Sequence, residues 1–253
     1  MKLSVRELGE GEPLMILHGL FGSSDNWQSH ALKLAEYYRV ILVDLRNHGH
    51  SEWSEDSSYE AMADDIFELC QEMNLEDLLL VGHSMGGKVA MHFALKHEDL
   101  LEKLIIVDMG IRSYPMHHDH ILAGIHAIDV SKIKSRREAD VQMSAHVESK
   151  GVKQFLLKNL YWIEKGKLAW RMNIDVLERE MHEILKALPS GEVMTSTLFI
   201  RGELSNYVLD EDMPTIESQF IDVEFVTISD AGHWVHSEQP SLFLESLLSF
   251  CLR

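Results

Sequence analysis

The sequence predicts an α/β fold: a mainly parallel sheet flanked by helices, with one helical insertion. Three observations lead there. Short apolar runs alternate with helical patterns along the chain. Most of those runs are continuously apolar, as strands covered on both faces are. The alternation then lapses between about Ile111 and Gly191, where helical periodicity continues without a convincing strand.

The elements follow in order. MKLSVRELGEGEP reads as a strand ending in a Gly/Pro turn and has no apolar core of a signal peptide. LMILHG (14–19), VILVDLR (40–46), LLLVGHS (78–84), LIIVDMG (104–110), TLFIRG (197–202) and VEFVTIS (223–229) read as strands. Helices are expected at 27–37, 59–73, 85–97, 211–219 and 240–252. Pro240 stands near the start of the last, where a missing N–H costs little. The stretch 111–190 carries many histidines and the aromatic landmarks Tyr161, Trp162 and Trp170. It is too long for a loop. It is read as a helical cap inserted after the strand ending at Gly110, over a core made of 1–110 and 191–253. Ligands of open parallel sheets bind beyond the carboxyl ends of the strands, and a cap leaving at Gly110 covers that end.

Composition narrows the function. A chain of 253 residues can bury one full core and carry an inserted subdomain. A net charge of −18 repels phosphate backbones, so no nucleic-acid partner is expected. No apolar run is long enough to span a bilayer, and the expected location is the cytoplasm. The two cysteines, Cys70 and Cys251, lie in apolar helical patterns and read as reduced core thiols.

The sharpest motif is Gly82-His83-Ser84-Met85-Gly86. A G-x-S-x-G alone is weak. Here an apolar strand precedes it and a helix follows, which is the strand–turn–helix that a nucleophile elbow needs. A serine hydroxyl is a poor nucleophile without a base. Among 15 histidines, His233 stands out, because DAGHW follows the last apolar strand and precedes the terminal helix. His83 adjoins the serine, but neighbours on an elbow point apart, so it reads as structural. His48, His50, His92, His97, His126, His146, His182 and His236 have no comparable placement. An acyl-transfer intermediate needs two convergent donors. The backbone N–H of Met85, just after the serine, is one, and that of Leu20 in LHGLFGSSDNW is the other. His18 of the same loop is expected to brace it by hydrogen bonds.

At this point the chain resembles the α/β-hydrolases, and among them the YbfF-like small esterases related to mammalian α/β-hydrolase domain-containing protein eleven. The resemblance rests on HGLFGSSDNW, DLRNHGHS, GHSMGGKVAM, VDMG…YP…HD, FLLKNL, WRMNIDVL and AGHWVH, spread over nearly the whole chain. It implies a carboxylic-ester or acyl-thioester hydrolase acting on a small molecule, with no metal and no organic cofactor.

The resemblance also bears on the acid that orients His233. The broader superfamily takes it from the loop after TLFIRG, where this chain has Ser205. In the narrower family it ends the preceding core strand, and this chain offers Asp108 there, on the same sheet edge as Ser84 and His233. An aspartate capping the chain's exit is the plain alternative, and Glu203 and Asp210 are rivals. Glu203 directly follows a glycine and points away, and Asp210 reads as a helix N-cap. Ser205 then becomes an auxiliary hydrogen-bonding partner of Asp108 or His233. Phe21, Tyr114, Trp162, Tyr207 and Trp234 are expected to line the acyl pocket.

Two clusters remain. HHDH (117–120) has metal-ligand residue types, but contiguous residues at a helix start cannot all turn to one ion. KIKSRREAD (132–140) is a basic run in an acidic chain, read as a solvated helix face or as a seat for the phosphates of an acyl-CoA. The reading is a serine esterase working through an acyl-enzyme on Ser84. An acyl-CoA thioesterase with the same triad is the nearest alternative. A non-catalytic receptor on this fold is another, against which the Ser84–His233 pair argues, and Ser205 weighs against a lyase or C–C hydrolase.

Overall fold

The computed structural model describes residues 1–253. Nine strands form: β1 (Ser4–Leu8), β2 (Pro13–Leu17), β3 (Arg39–Asp44), β4 (Leu78–His83), β5 (Leu101–Val107), β6 (Leu160–Glu164), β7 (Lys167–Trp170), β8 (Thr197–Gly202) and β9 (Val223–Ile228). Seven of them make one sheet in the order β1-β3-β2-β4-β5-β8-β9. Only β1 runs antiparallel, against β3. The other neighbours are parallel.

The helices are α1 (Gln28–Leu34), α2 (Tyr59–Met73), α3 (Met85–His97), α4 (Asp119–His126), α5 (Arg136–Met143), α6 (Lys150–Leu157), α7 (Ile174–Arg179), α8 (Met181–Ile184), α9 (Met213–Glu217), α10 (Val235–Glu238) and α11 (Pro240–Cys251). Side chains alternate across each strand, which divides the core in two. Leu14, Ile16, Leu79, Val81, Ile105 and Val107 meet α1 and α11 on one face. Met15, Leu17, Leu78, Leu80, Leu104 and Ile106 meet α2, α3 and α9 on the other, and the apolar residues of the insertion join that second cluster. Cys70 and Cys251 are buried as free thiols. No helix is long and apolar enough to cross a membrane.

The structure differs from the sequence reading in a few places. The insertion is not wholly helical, because β6 and β7 pair as a separate antiparallel hairpin. Glu164 pairs with Lys167, so the turn is the two residues Lys165-Gly166, and Gly166 takes φ +85°. That X-Gly turn between aromatic-rich runs is a hairpin signal that the surrounding helical periodicity masks. Just before the insertion, β5 stops at Val107, so Asp108 lies just beyond the strand. The helix expected at 211–219 shortens to five residues, because a tight turn at 210–212 precedes it.

One buried ion pair anchors the loop beneath the sheet edge. Arg46 Nε donates to Asp65 Oδ2 at 2.7 Å, with side chains 9% and 3% exposed. Its other nitrogens donate to the carbonyls of Asp56 and Ala61. This fixes the loop carrying His48, whose Nε2 accepts the Phe21 N–H at 3.1 Å. Removing one partner strands the other charge inside the protein. Asp65→Ala is therefore expected to lower the unfolding free energy by about 3–5 kcal/mol, read from the urea midpoint. An unchanged midpoint would mean that water reaches the guanidinium.

Candidate active site

β4 ends at His83 and α3 starts at Met85, so Ser84 sits alone in the turn between them. Its backbone takes φ +53° and ψ −120°, a conformation that costs energy for any residue with a Cβ. The flanking glycines make the turn possible. A Cβ at Gly82 would strike the Gly86 carbonyl, and one at Gly86 would strike the Leu17 carbonyl on β2.

His233 lies in the loop between β9 and α10. Its Nε2 is 2.9 Å from Ser84 Oγ, and its Nδ1 is 2.8 Å from Asp108 Oδ2. A carboxylate can only accept, so Nδ1 carries the proton and Nε2 is free to take the serine's. Asp108 is fully buried, with φ +48°. Its Oδ1 accepts the Gly202 N–H at 3.0 Å, and the Ser205 hydroxyl donates to its Oδ2. Of the two partners considered for Ser205, the hydroxyl bonds Asp108. The rival acids are engaged elsewhere. Glu203 accepts from the Asp230 N–H, and Asp210 pairs with Arg201. Asp210 is not the N-cap of α9, a place that Asp212 takes.

The loops around this line are held by neutral imidazoles. His83 Nε2 meets the His233 carbonyl at 2.9 Å, and burial pushes its pKa down to about 3. His18 accepts the Leu45 N–H at 3.0 Å and meets the Gly19 carbonyl at 2.8 Å, and burial again lowers its pKa. His48, given no placement from sequence, is buried with a pKa pushed down to about 3 by burial first and His18 second. Only the fold brings it under Phe21. The N–H groups of Met85, the first residue of α3, and of Leu20, in the Gly19–Gly22 turn, form no turn, loop or cap hydrogen bond. Both residues line a small apolar recess beside Ser84.

A cavity of about 250 Å³ opens over Ser84 and His233. Of the residues expected there, Phe21, Tyr207 and Trp234 line it, and Tyr114 lines the adjoining recess. Tyr207 stacks on the His233 ring, with centroids 3.9 Å apart and planes 18° apart. Trp162 lines neither space. It stands on β6, 46% exposed, because the hairpin holds it away from the sheet edge. The walls that sequence reading missed come from the insertion: His117, His118, His120 and Ile121 near α4, and Val152, Phe155 and Leu156 on α6. The i, i+3, i+4 spacing of the α6 residues was a visible signal for one helix face, but not for what that face covers. The HHDH histidines thus form part of the cavity wall. His117 Nε2 meets the Tyr207 hydroxyl at 2.7 Å.

Residues 12–131 match the family described as alpha/beta hydrolase fold. The chain is 38% identical over 246 residues to the sn-1-specific diacylglycerol lipase ABHD11 of Mus musculus, covering 94% of this chain and 80% of that one. It is 34% identical over 255 residues to esterase YbfF of Escherichia coli, covering 98% of each. A solved marine microorganism esterase superposes with a TM-score of 0.96 at 42% identity, covering 98% of this chain and 99% of that one. Likeness of this extent carries the sheet order and the connections as well as the local motifs, and the chain belongs to the α/β-hydrolase family.

Proposed function

We propose that the protein is a carboxylic-ester hydrolase that works through an acyl-enzyme on Ser84. The observation carrying this reading is the line Asp108–His233–Ser84, at 2.8 and 2.9 Å, opening into a cavity with apolar walls. The esterase and lipase names of the near-full-length relatives support the same substrate class.

In this reading Ser84 Oγ attacks the ester carbonyl while His233 Nε2 takes its proton. The carbonyl π electrons move onto oxygen, and the N–H groups of Leu20 and Met85 receive the oxyanion. Collapse breaks the bond to the leaving oxygen, which takes the proton from Nε2, and leaves the acyl group on Ser84. Water then enters, gives its proton to Nε2 and adds to the acyl carbon. A second collapse releases the acid and returns the proton to Oγ. Asp108 keeps His233 in the required tautomer and steadies the imidazolium in each half. Segment 111–190 serves as a cap, supplying α4 and α6 as the roof of the acyl site. An acyl-CoA thioesterase would use the same groups and differ only in how it holds the leaving group.

Ser84→Ala should abolish p-nitrophenyl ester turnover by several orders of magnitude while the fold is kept, because the small hydroxyl contributes little to packing. Turnover surviving in the folded variant would remove Ser84 as the nucleophile.

A variant series tests the acid. Asp108→Asn should cost on the order of 10⁴ in kcat, as loss of the equivalent carboxylate does in a serine protease. Ser205→Ala removes one neutral hydrogen bond and should cost about fivefold. Glu203→Gln and Asp210→Asn should stay near wild type. The double variant Asp108→Asn with Ser205→Asp places the charge on the other loop beside the same imidazole and should recover part of the rate. A nearly silent Asp108→Asn beside an inactive Asp210→Asn or Glu203→Gln would reassign the acid.

A further inference from the structure

Three aromatic rings meet the His233 imidazole, and one of them lies flat on it. His83 is tilted, with centroids 4.9 Å apart, and Trp234 meets it edge to face at 5.6 Å. Tyr207 is nearly parallel, at 3.9 Å and 18°. Asp108 is the charged partner, at Nδ1. His83, His118 and His236 stand near the same ring, and burial keeps each of them neutral by lowering its pKa.

Tyr207 is held in place from the first stem of the insertion. The Arg112 guanidinium donates to the Asn206 carbonyl at 2.6 Å, and the Tyr114 hydroxyl donates to the Tyr207 carbonyl at 2.7 Å. Within its own loop, the Tyr207 N–H reaches Ser205 Oγ at 3.3 Å. At the tip of the side chain, the hydroxyl meets His117 Nε2 at 2.7 Å. The direction of that bond is fixed. His117 Nδ1 lies 2.7 Å from the Pro115 carbonyl, which can only accept, so Nδ1 carries the proton and Nε2 receives the tyrosine's. Burial first and Asp108 second push the pKa of the Tyr207 hydroxyl up to about 12, so it keeps the proton that it donates. The backbone at 206–207 and the far end of the ring are thus tied to one stretch, 112–117, where the chain leaves the core.

A ring held at both ends does two things for an imidazole beneath it. It blocks rotation of the imidazole plane, which would carry Nε2 away from Ser84 and Nδ1 away from Asp108. Its π face also carries partial negative charge, so it attracts an imidazolium more strongly than a neutral imidazole. In the mechanism above the imidazolium exists only while His233 holds the proton of serine or water. The attraction therefore falls on the transition state and not on the bound ester.

We propose that Tyr207 is a positioning residue for His233, and that His117 is the latch that holds Tyr207 against it. The proposal rests on the ester-hydrolase reading above and adds two residues to that site. It gives His117 of the HHDH run a task beyond forming a wall.

Steady-state kinetics on p-nitrophenyl acetate and p-nitrophenyl octanoate separate this role from that of a pocket wall. Tyr207→Leu keeps an apolar side chain over His233 and removes the π face. It should lower kcat on the acetate about tenfold and leave KM nearly unmoved. The acid limb of its kcat/KM profile should move to lower pH, because an imidazolium without the π face gives up its proton more readily. Tyr207→Phe keeps the face and loses the latch, and should cost less than about fivefold, the worth of one neutral hydrogen bond. His117→Ala should match it. The double variant Tyr207→Phe with His117→Ala should be no worse than either, since both changes remove the same bond. A Tyr207→Leu protein that keeps its kcat on the acetate and changes only the octanoate KM makes Tyr207 a wall and overturns the proposal. A lowered kcat beside an unmoved acid limb overturns it too, and both results leave the esterase reading standing. Magnetic resonance of histidine-labelled protein follows the His233 ring through the same titration without turnover. Its midpoint should fall in Tyr207→Leu even if no ester is cleaved, and an unmoved midpoint in the folded variant overturns the proposal. Where Tyr207→Leu does not fold, Tyr207→Met takes its place with the same expected shifts.

Discussion

A single buried carboxylate sets the conditions that the rest of the sheet edge must meet. Asp108 has no exposed surface, and an uncompensated charge there would be prohibitive. Three donors satisfy it, from two separate stretches: the Gly202 N–H at the end of β8 with the Ser205 hydroxyl just beyond, and His233 Nδ1 after β9. They can meet only if β5, β8 and β9 lie side by side in one register. That is what the pairings Val107 with Ile200 and Gly202 with Ile228 provide. The Asp108 N–H closes the arrangement by donating to the Ile200 carbonyl at 2.7 Å. The parallel pairing of β5, β8 and β9 sets the register, and the register delivers the donors.

The same economy governs the other strained positions. Of the seven non-glycine residues with positive φ, Phe21, Asn47, Ser84 and Asp108 lie in the stretches that follow the carboxyl ends of β2, β3, β4 and β5. Such backbone persists only where the surroundings over-determine it. Here His48 accepts the Phe21 N–H, Asn159 donates to the Phe21 carbonyl at 2.7 Å, and His83 holds the His233 carbonyl. Burial keeps these imidazoles neutral, so they serve as fixed donor–acceptor rods around His233. Among the histidines near the motifs, His233 alone bonds both Ser84 and Asp108, and His18, His48 and His83 brace the loops.

Local pattern made the core legible. Continuous apolar runs located the central strands, and the elbow's glycines located Ser84, because both signals are short-range. Asp108 was reachable by family likeness and by its place at a strand end, since the usual slot holds Ser205. What sequence could not supply was anything set by the packing of the insertion on the sheet. Trp162 looked like a pocket residue by type, yet its hairpin carries it to the surface. Phe155 has no assigned role in the sequence and His118 stands out only as one of the metal-ligand residue types of HHDH, yet both line the cavity. His48 had no visible role until the Arg46 loop folded beneath Phe21. Each of these depends on contacts between segments far apart in the chain, to which periodicity is blind.

The insertion is tied to the candidate site through the helix that begins just after Ser84. Lys88, one turn into α3, is fully buried. Its ammonium donates to the carbonyl of Arg112 at 2.9 Å and of Lys186 at 2.6 Å, with Ile111 at 3.4 Å. Arg112 lies where the chain leaves the core, and Lys186 where it returns. Three donors on one tetrahedral centre can close both crossings at once, which a neutral side chain of similar length could not do. The Tyr114 hydroxyl adds a second tie, accepting from the Gly110 N–H and donating to the Tyr207 carbonyl, and Tyr207 stacks on His233. The roof of the cavity is therefore not an independent lid resting on a finished site. Its two stems are pinned to the helix that follows Ser84 and to the ring that stacks on His233, so the cavity walls from the insertion and the Asp108–His233–Ser84 line share one frame.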